Sequence, residues 1–336
     1  MKNQDFEPQL DEIKKIDEVR GELKSLQEKL EKTQESLKEL RAQAKQKLAG
    51  ANQKVETAHN LLAKGELEQA VNIYQKALIF EPGLKKLSKH SLAQLKSAIK
   101  IVGKLDYHKK DIFLLIDSAI EMGRLNSCRK EEDTVVWMET FLKPGEIMYD
   151  IGANVGAYSL VAAKLYEDPV KVYAFEPACD NFLKLCKNIS FNKCTHNAFP
   201  FGIALSDETK VEIFNYKAIA YGGSHHALGK PVNNTHEEFK PALSVPTISW
   251  RIDDLIEQMK FPVPNHIKID VDSIEFEILK GAEKTLSNPQ VKSINVEQHE
   301  QDVEKVIEML DKKNFRLNSE HQRTTKHMKN YVFVRN

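Results

Sequence analysis

The sequence lacks an excess of either charge and any long apolar run. Its 336 residues carry 49 Lys+Arg and 49 Asp+Glu, so the formal net charge is zero. No bulk basic excess is present to attract nucleic acid or an anionic membrane. The longest strongly apolar runs, such as 112–116, are far shorter than the roughly 18 residues that a transmembrane helix needs. We therefore expect neither nucleic acid nor a membrane-spanning segment.

Cysteine is scarce, and the first residues contain no apolar segment of the kind found in secretory signals. None of the four cysteines forms a C-x-x-C pair; they are Cys128, Cys179, Cys186 and Cys194. This pattern favours reduced thiols over a disulfide framework. We expect a cytoplasmic location. A content of 41% apolar and 29% charged residues is typical of a folded globular chain.

Residues 1–50 contain no cysteine, tryptophan or tyrosine, and they predict a coiled-coil helix. Apolar residues alternate at spacings of three and four, which produces a narrow seam that faces a partner helix. The a positions are Ile16, Leu23, Leu30, Leu37 and Ala44, and the d positions are Val19, Leu26, Thr33 and Leu40. We expect a homo-oligomer through this seam. The alternative is a single amphipathic helix that folds back on the rest of the chain.

Residues 51–108 predict a helical hairpin that resembles one tetratricopeptide repeat. The small, turn, aromatic and proline positions of that 34-residue pattern are Ala58, Gly65, Ala70, Tyr74, Ala77 and Pro82. One repeat cannot bury its own apolar face. A spacer or docking element is therefore favoured over a peptide-binding groove, although a protein partner at this hairpin is the functional alternative.

Residues 109–336 alternate between strand-like and helix-like segments. Strands are predicted at 146–150, 171–175, 266–270 and 291–296, and helices at 156–164, 180–189 and 275–286. This alternation is typical of a doubly wound α/β sheet. Ligands of such sheets bind at the carboxyl ends of the strands.

The first of these strands ends in a glycine-rich turn, Asp150-Ile-Gly152-Ala-Asn154-Val-Gly156. Glycines allow a tight turn and a close approach to a ligand at a helix N-terminus. The spacing differs from the dinucleotide fingerprint and resembles the first motif of S-adenosylmethionine-dependent methyltransferases. The next strand ends at Glu176, 26 residues after Asp150, where a carboxylate can accept hydrogen bonds from ribose hydroxyls.

A narrower resemblance, to the FkbM family of methyltransferases, covers roughly residues 110–336. It rests on segments 150–156, 174–177, 204–207 and 267–271 and on the Leu-Lys-Gly-Ala segment 279–282. The resemblance implies a Rossmann-like seven-stranded sheet, closed by a hairpin of 315–317 and 331–334, and O-methylation of a sugar or polyketide hydroxyl. The resemblance also implies that Ala153, Ser206 and Asp207 bind the cofactor and that Glu275 binds the substrate. One departure is Val271-Asp272-Ser273, where the family usually has Val-Glu-Gly.

Candidate catalytic residues follow the third and fourth of the predicted parallel strands. They are Asp270, Asp272, Glu297 and His299. A hydroxyl acceptor benefits from a general base, and each of these groups can accept a proton. His225 and His226 follow Tyr-Gly-Gly-Ser in a loop that we expect to reach over the acceptor.

The expected function is an S-adenosylmethionine-dependent O-methyltransferase that acts on a glycan hydroxyl and needs no metal. Two alternatives stay open at this stage. Asp270-Val-Asp272 also reads as the D-x-D motif of metal-dependent glycosyltransferases, because adjacent carboxylates suit hard cations. The second alternative is a scaffold protein that binds the cofactor but does not catalyse methyl transfer.

Overall fold

The computed structural model describes residues 7–64, 66, 69–70, 72–73, 101–232, 237–323 and 327–336. Within these ranges the helices are α1 Glu7–Ala63, α2 Ala119–Arg124, α3 Ser127–Lys130, α4 Glu132–Phe141, α5 Ala157–Ala163, α6 Cys179–Phe191, α7 Ile252–Glu257, α8 Glu275–Lys280, α9 Glu283–Ser287 and α10 Val303–Asp311. The strands are β1 Ile101–Lys104, β2 Phe113–Ile116, β3 Ile147–Ile151, β4 Lys171–Phe175, β5 Ala198–Phe201, β6 Ala204–Leu205, β7 Lys210–Tyr216, β8 Ala227–Leu228, β9 Leu243–Trp250, β10 His266–Ile269, β11 Ser293–His299, β12 Phe315–Gln322 and β13 Met328–Arg335.

Helix α1 is one continuous element of 57 residues. Its Lys, Glu, Gln, Leu and Ala content consists of strong helix formers, and a helix of this length extends about 85 Å. It passes through the predicted boundary at residue 50 without a break. Near its end, Val55 and Ala58 are buried in the first core cluster of the fold. The described leucines of the heptad seam, by contrast, are exposed.

Much of the tetratricopeptide-like pattern lies outside the described residues, including Gly65, Tyr74, Ala77 and Pro82. Of its small positions, Ala58 and Ala70 are fully buried. Strands β1 and β2 then form an antiparallel hairpin in which Ile101 pairs with Ile116. The predicted boundary between residues 108 and 109 falls inside this hairpin.

The largest sheet has seven strands, the number that the family resemblance implied, in the order β12-β13-β11-β10-β3-β4-β5. Strands β11, β10, β3, β4 and β5 are parallel to one another, and β13 is antiparallel to both β11 and β12. Strand β10 is buried along its whole length, as a central parallel strand requires. Apolar side chains of α4, α5 and α6 cover one face and those of α7 to α10 the other.

A second sheet of four strands, β6-β9-β7-β8, is inserted between β5 and β10. The sequence analysis predicted no strand in this segment, and only the loop that carries His225 and His226. One reason is that its strands carry apolar side chains on an exposed surface, for example Val211 and Ile248. This sheet lies beside the strand tips and contributes to the site. Within the described ranges, each helix is too short or too polar to cross a bilayer.

Candidate active site

The glycine-rich turn connects β3 to α5 through three residues of positive φ, two of which are glycines. Gly152 has φ +81°, and a Cβ atom added there would collide with the carbonyl oxygen of Asp270. Gly156 has φ +89° and stands immediately before α5. Glycine adopts this conformation without the strain that other residues incur. Gly152 therefore lets the end of β3 pass directly against the end of β10, and Gly156 leaves room for Leu185 of α6.

Glu176 lies at the end of β4 and is tied to the same turn. Its Oε2 accepts a hydrogen bond from the backbone N–H of Asn154 at 2.8 Å, and its Oε1 accepts one from Ala178 N–H at 2.9 Å. Burial raises the pKa of Glu176 to about 7, although these backbone hydrogen bonds act in the opposite direction. The carboxylate predicted to bind ribose is thus positioned by the backbone of the glycine-rich motif.

A cavity of about 120 Å³ opens along the carboxyl ends of β10, β3 and β4. Six residues predicted from the sequence line it: Gly152, Asn154, Glu176, His226, Asp270 and Asp272. Apolar walls come from the strand tips, from the segment after β5 and from the inserted sheet. They include Ile151, Phe175, Ile203, Leu205, Phe214, Leu228 and Val271. The cavity therefore combines a polar edge at the strand tips with apolar walls.

The other predicted site residues are not on the wall of this cavity in the described part of the chain. They are Asp150, Ala153, Gly156, Ser206, Asp207, His225, Glu275, Glu297 and His299. Asp207 accepts a hydrogen bond from Lys280 Nζ at 2.7 Å. Ser206 packs so closely on Gly281 that a Cβ there would collide with its carbonyl oxygen. These two motif residues join the inserted sheet to α8 in this structure.

Asp270 is the carboxylate of the strand tips that the structure keeps ionised. Lys268 Nζ donates to its Oδ2 at 2.8 Å and lies 3.8 Å from Oδ1 of Asp150. Burial alone would raise the pKa of Asp270, but the charges of Lys268 and Arg323 outweigh it and hold that pKa well below its usual range. Burial raises the pKa of Asp150, whose Oδ2 accepts from Ser159 Oγ.

Behind Asp270, Arg323 connects two buried glutamates and was missed by the sequence analysis. Its Nε donates to Glu297 at 2.6 Å, and its Nη2 donates to Glu131. Burial, assisted by the charge of Asp270, raises the pKa of Glu297 to about 8. Glu297 is therefore protonated at neutral pH, which reduces the negative charge behind the cavity. Arg323 belongs to no sequence motif. Its position just after β12 was the one feature of the sequence that could have pointed to a role in the site.

The loop after β7 crosses the glycine-rich turn. Asn154 Nδ2 and Asn181 Nδ2 both donate to the carbonyl oxygen of Gly223, at 2.7 and 3.0 Å. Arg124 donates to the carbonyl oxygen of Gly222 at 2.7 Å through Nη2. Sequence reasoning missed Arg124 and Asn181, both of which also line the cavity. The loop is thus held against the glycine-rich turn by side chains from α2, α6 and the first motif.

Three further predicted residues differ in their surroundings. Asp272 accepts a hydrogen bond from the backbone N–H of His225, and its Oδ1 lies 3.3 Å from His225 Nδ1. His299 is buried at the end of β11, where its Nδ1 accepts from Gln301 N–H at 3.2 Å. Glu275 is buried in α8, and burial raises its pKa well above the usual range. Of these, Asp272 is the residue that reaches the cavity.

The two carboxylates of the D-x-D alternative engage different partners, Lys268 for Asp270 and His225 for Asp272. Within the described ranges, no three histidine, cysteine or acidic side chains converge as they would around a metal ion. The geometry therefore offers no positive support for the metal-dependent reading of these two residues.

The chain belongs to the family described as the methyltransferase FkbM domain, which it matches over residues 150–317, half of its length. The matched segment runs from the glycine-rich turn to the start of β12. It includes the cavity residues at the ends of β3, β4 and β10. This membership confirms the predicted family and the methyltransferase class of enzyme.

Two curated relatives are similar over this region. The hexuronic acid methyltransferase AglP of Haloferax volcanii is 26% identical over 173 residues, which cover 52% of this chain and 65% of that protein. The 31-O-demethyl-FK506 methyltransferase FkbM of Streptomyces tacrolimicus is 28% identical over 181 residues, 48% of this chain and 68% of that protein. The chain thus spans about two thirds of the length of each relative.

Among solved structures, the methyltransferase FkbM from Methylobacillus flagellatus KT is similar with a TM-score of 0.42. The similarity has 15% sequence identity and covers 58% of this chain and 45% of that one.

Proposed function

We propose that this protein uses S-adenosylmethionine to methylate a hydroxyl group. The observation that carries the proposal is the cavity at the strand tips, where Gly152, Asn154 and Glu176 lie beside Asp270. When bound, the cofactor supplies an electrophilic methyl group. Gly152 lets the ends of β3 and β10 meet at the cavity, and the buried carboxylate of Glu176 is our candidate to accept hydrogen bonds from ribose hydroxyls.

Asp270 is our candidate for accepting a hydrogen bond from the acceptor hydroxyl and orienting it, but its lowered pKa makes it a weak base. It lines the cavity and stays ionised, because Lys268 and Arg323 stabilise its charge. Glu297 holds its own proton at neutral pH, and His299 is not among the described residues of the cavity wall. A general base must be unprotonated and within reach of the hydroxyl. Asp272, held by His225, is a candidate for orienting the acceptor.

We infer that the acceptor is a sugar hydroxyl. The support is the similarity to a relative named for hexuronic acid methylation. The polar rim of the cavity, which includes Arg124, Asn181 and Ser224, also suits a ligand rich in hydroxyl groups. Methyl transfer depends strongly on positioning, and a rim of fixed hydrogen-bonding groups supplies it.

Calorimetry with S-adenosylhomocysteine tests cofactor binding. We expect the pure protein to bind it and Glu176→Ala to bind at least about tenfold more weakly. Glu283→Ala, at an exposed position of α9, is the matched control and should bind like the wild type. Absence of binding by the wild type would reject the proposal.

Turnover separates an enzyme from a scaffold. We expect release of S-adenosylhomocysteine when uronic-acid glycans are supplied with the cofactor. Asp270→Asn should still bind S-adenosylhomocysteine but lose most of its turnover, because the amide lacks the negative charge that orients the acceptor hydroxyl. Cofactor binding without turnover on any glycan would favour the scaffold.

We also propose that α1 mediates self-association. Five leucines of the predicted seam, Leu23, Leu26, Leu30, Leu37 and Leu40, are between 47% and 62% exposed. A row of exposed leucines on a long helix is a surface that a partner helix buries.

A further inference from the structure

The inserted sheet supplies a wall of the cavity. Phe214 of β7 and Leu228 of β8 pair across this sheet and both line the cavity. His226, in the segment that leads into β8, lines it as well. Each of these residues lies outside the glycine-rich turn and the strand tips, so the inserted sheet adds one ionisable and two apolar side chains to the cavity wall.

His226 is buried, and its hydrogen bonds define which ring nitrogen carries the proton. The residue is 8% exposed, and its ring lies 5.1 Å from that of Tyr216 and 5.8 Å from that of Phe214. Nδ1 accepts a hydrogen bond from the backbone N–H of Lys217 at 3.3 Å. A neutral imidazole that accepts at Nδ1 carries its hydrogen on Nε2. We assign that tautomer from this contact.

The ring is also held in its neutral form. Burial lowers the pKa of His226, and the nearby charges of Asp272 and Asp180 do not outweigh it; His225 acts in the same direction as burial. His226 therefore presents a neutral N–H donor rather than a cation.

The Nε2 donor is buried and has no hydrogen-bond partner among the described residues. A buried donor without a partner costs free energy, so such a group at a cavity wall marks a place where a ligand supplies the acceptor. Asp180, which interacts with the ring electrostatically, also has two buried carboxylate oxygens without a partner in the described ranges. The donor at the cavity wall thus lies beside the apolar side chains of Phe214 and Leu228, and Asp180 lies outside the described lining.

We propose that His226 recognises the adenine of the bound cofactor by donating from Nε2 to a ring nitrogen. This inference rests on the proposed use of S-adenosylmethionine. Adenine is flat and apolar on its faces, and it presents a ring-nitrogen acceptor beside an amino donor. Phe214 and Leu228 offer the apolar contact that such a base requires. An oxygen of the methyl acceptor is the other possible source of the acceptor atom.

Calorimetry distinguishes these two sources without any turnover. His226→Phe keeps a flat apolar ring and removes the donor, whereas His226→Gln returns an N–H close to the position of Nε2. If His226 contacts the base, His226→Phe should weaken both S-adenosylhomocysteine and adenosine about tenfold, and His226→Gln should restore most of the affinity. His321→Phe, at an exposed position of β12, is the matched control.

Unchanged affinity of His226→Phe for both ligands, with binding by the wild type intact, would overturn the inference and leave the proposed function standing. Absence of binding by the wild type would instead reject the proposed function. A measurement on the wild type covers the case in which a variant fails to fold. In protein labelled with ¹⁵N-histidine, adenosine should shift the His226 Nε2 resonance, and an unmoved resonance at saturation would also overturn the inference.

Discussion

Asn154 Nδ2 donates a hydrogen bond of 2.7 Å to the carbonyl oxygen of Gly223, while the backbone N–H of Asn154 donates to Glu176. One residue therefore joins the glycine-rich turn, the carboxylate at the end of β4 and the loop from the inserted sheet. Its φ of 51° is left-handed, a conformation that asparagine tolerates better than most residues. Loop position and cofactor residues are consequently coupled through a single side chain.

Asn154→Gly should loosen this loop without straining the turn. Glycine keeps the positive φ, but the amide donor is lost, so the free energy of unfolding should fall by about 1 kcal/mol. Limited proteolysis should cut the segment 217–228 faster than in the wild type. Asn314→Gly is the matched control, because Asn314 has φ 64° and is exposed. Equal cleavage rates in both variants would contradict the coupling.

Gly152→Ala should abolish S-adenosylhomocysteine binding. The new Cβ would collide with the backbone carbonyl of Asp270, and alanine at φ +81° is strained, so we expect a loss of stability of at least about 2 kcal/mol. Gly123→Ala is the control: it lies in α2, and its added Cβ has no atom within 4 Å. Thermal unfolding and calorimetry measure both variants. A Gly152→Ala protein with unchanged affinity for S-adenosylhomocysteine would show that binding does not need the close approach of Gly152 to the Asp270 carbonyl.

These tests concern the part of the site that the sequence predicted. Gly152, Glu176 and Asp270 were predictable because each follows a strand whose apolar pattern is local, and parallel strands bring their carboxyl ends to one edge. Strands β3, β4 and β10 accordingly lie within one residue of their predicted bounds.

The part of the site that the sequence did not predict depends on contacts between residues that are far apart along the chain. Arg323 binds Glu131 across 192 positions, and no spacing in the sequence marks that pair. Cavity-lining residues of the inserted sheet were missed for a related reason. Strand β9 has residues of intermediate exposure alternating with exposed ones over most of its length, so its pattern lacks the buried apolar run of a core strand.

Glu297→Gln should change the dependence of stability on pH. The pKa of Glu297 is raised in the folded state to about 8 by burial, so its contribution is fully present below its ordinary pKa near 4.5 and is lost as pH rises towards 8. Glutamine resembles the protonated acid. The variant should therefore match the wild type near pH 5 and exceed it above pH 8, by an amount of order a few kcal/mol. Denaturant unfolding across this range measures the difference.

Glu146→Gln is the control with the opposite sign. Burial raises the pKa of Glu146, but hydrogen bonds from Lys292 and His266 outweigh it and lower that pKa. Its contribution is present above the ordinary pKa and is lost as pH falls through the lowered value. Glu146→Gln should thus cost stability at pH 7 and little in acid. Parallel pH profiles for the two variants would show that Glu297 is not protonated in the folded protein.

Leu30→Glu should reduce self-association of the full chain. Leu30 is a central a position of the seam and is 58% exposed. If α1 pairs with a second copy, the substitution removes one buried leucine from each helix, and the dissociation constant should rise about a hundredfold. Ser25→Glu, at an exposed c position outside the seam, adds the same charge and should leave the assembly intact. Sedimentation velocity at several concentrations measures the mass. A wild-type monomer would reject self-association, and an oligomer equally stable in both variants would place the interface away from the leucines of α1.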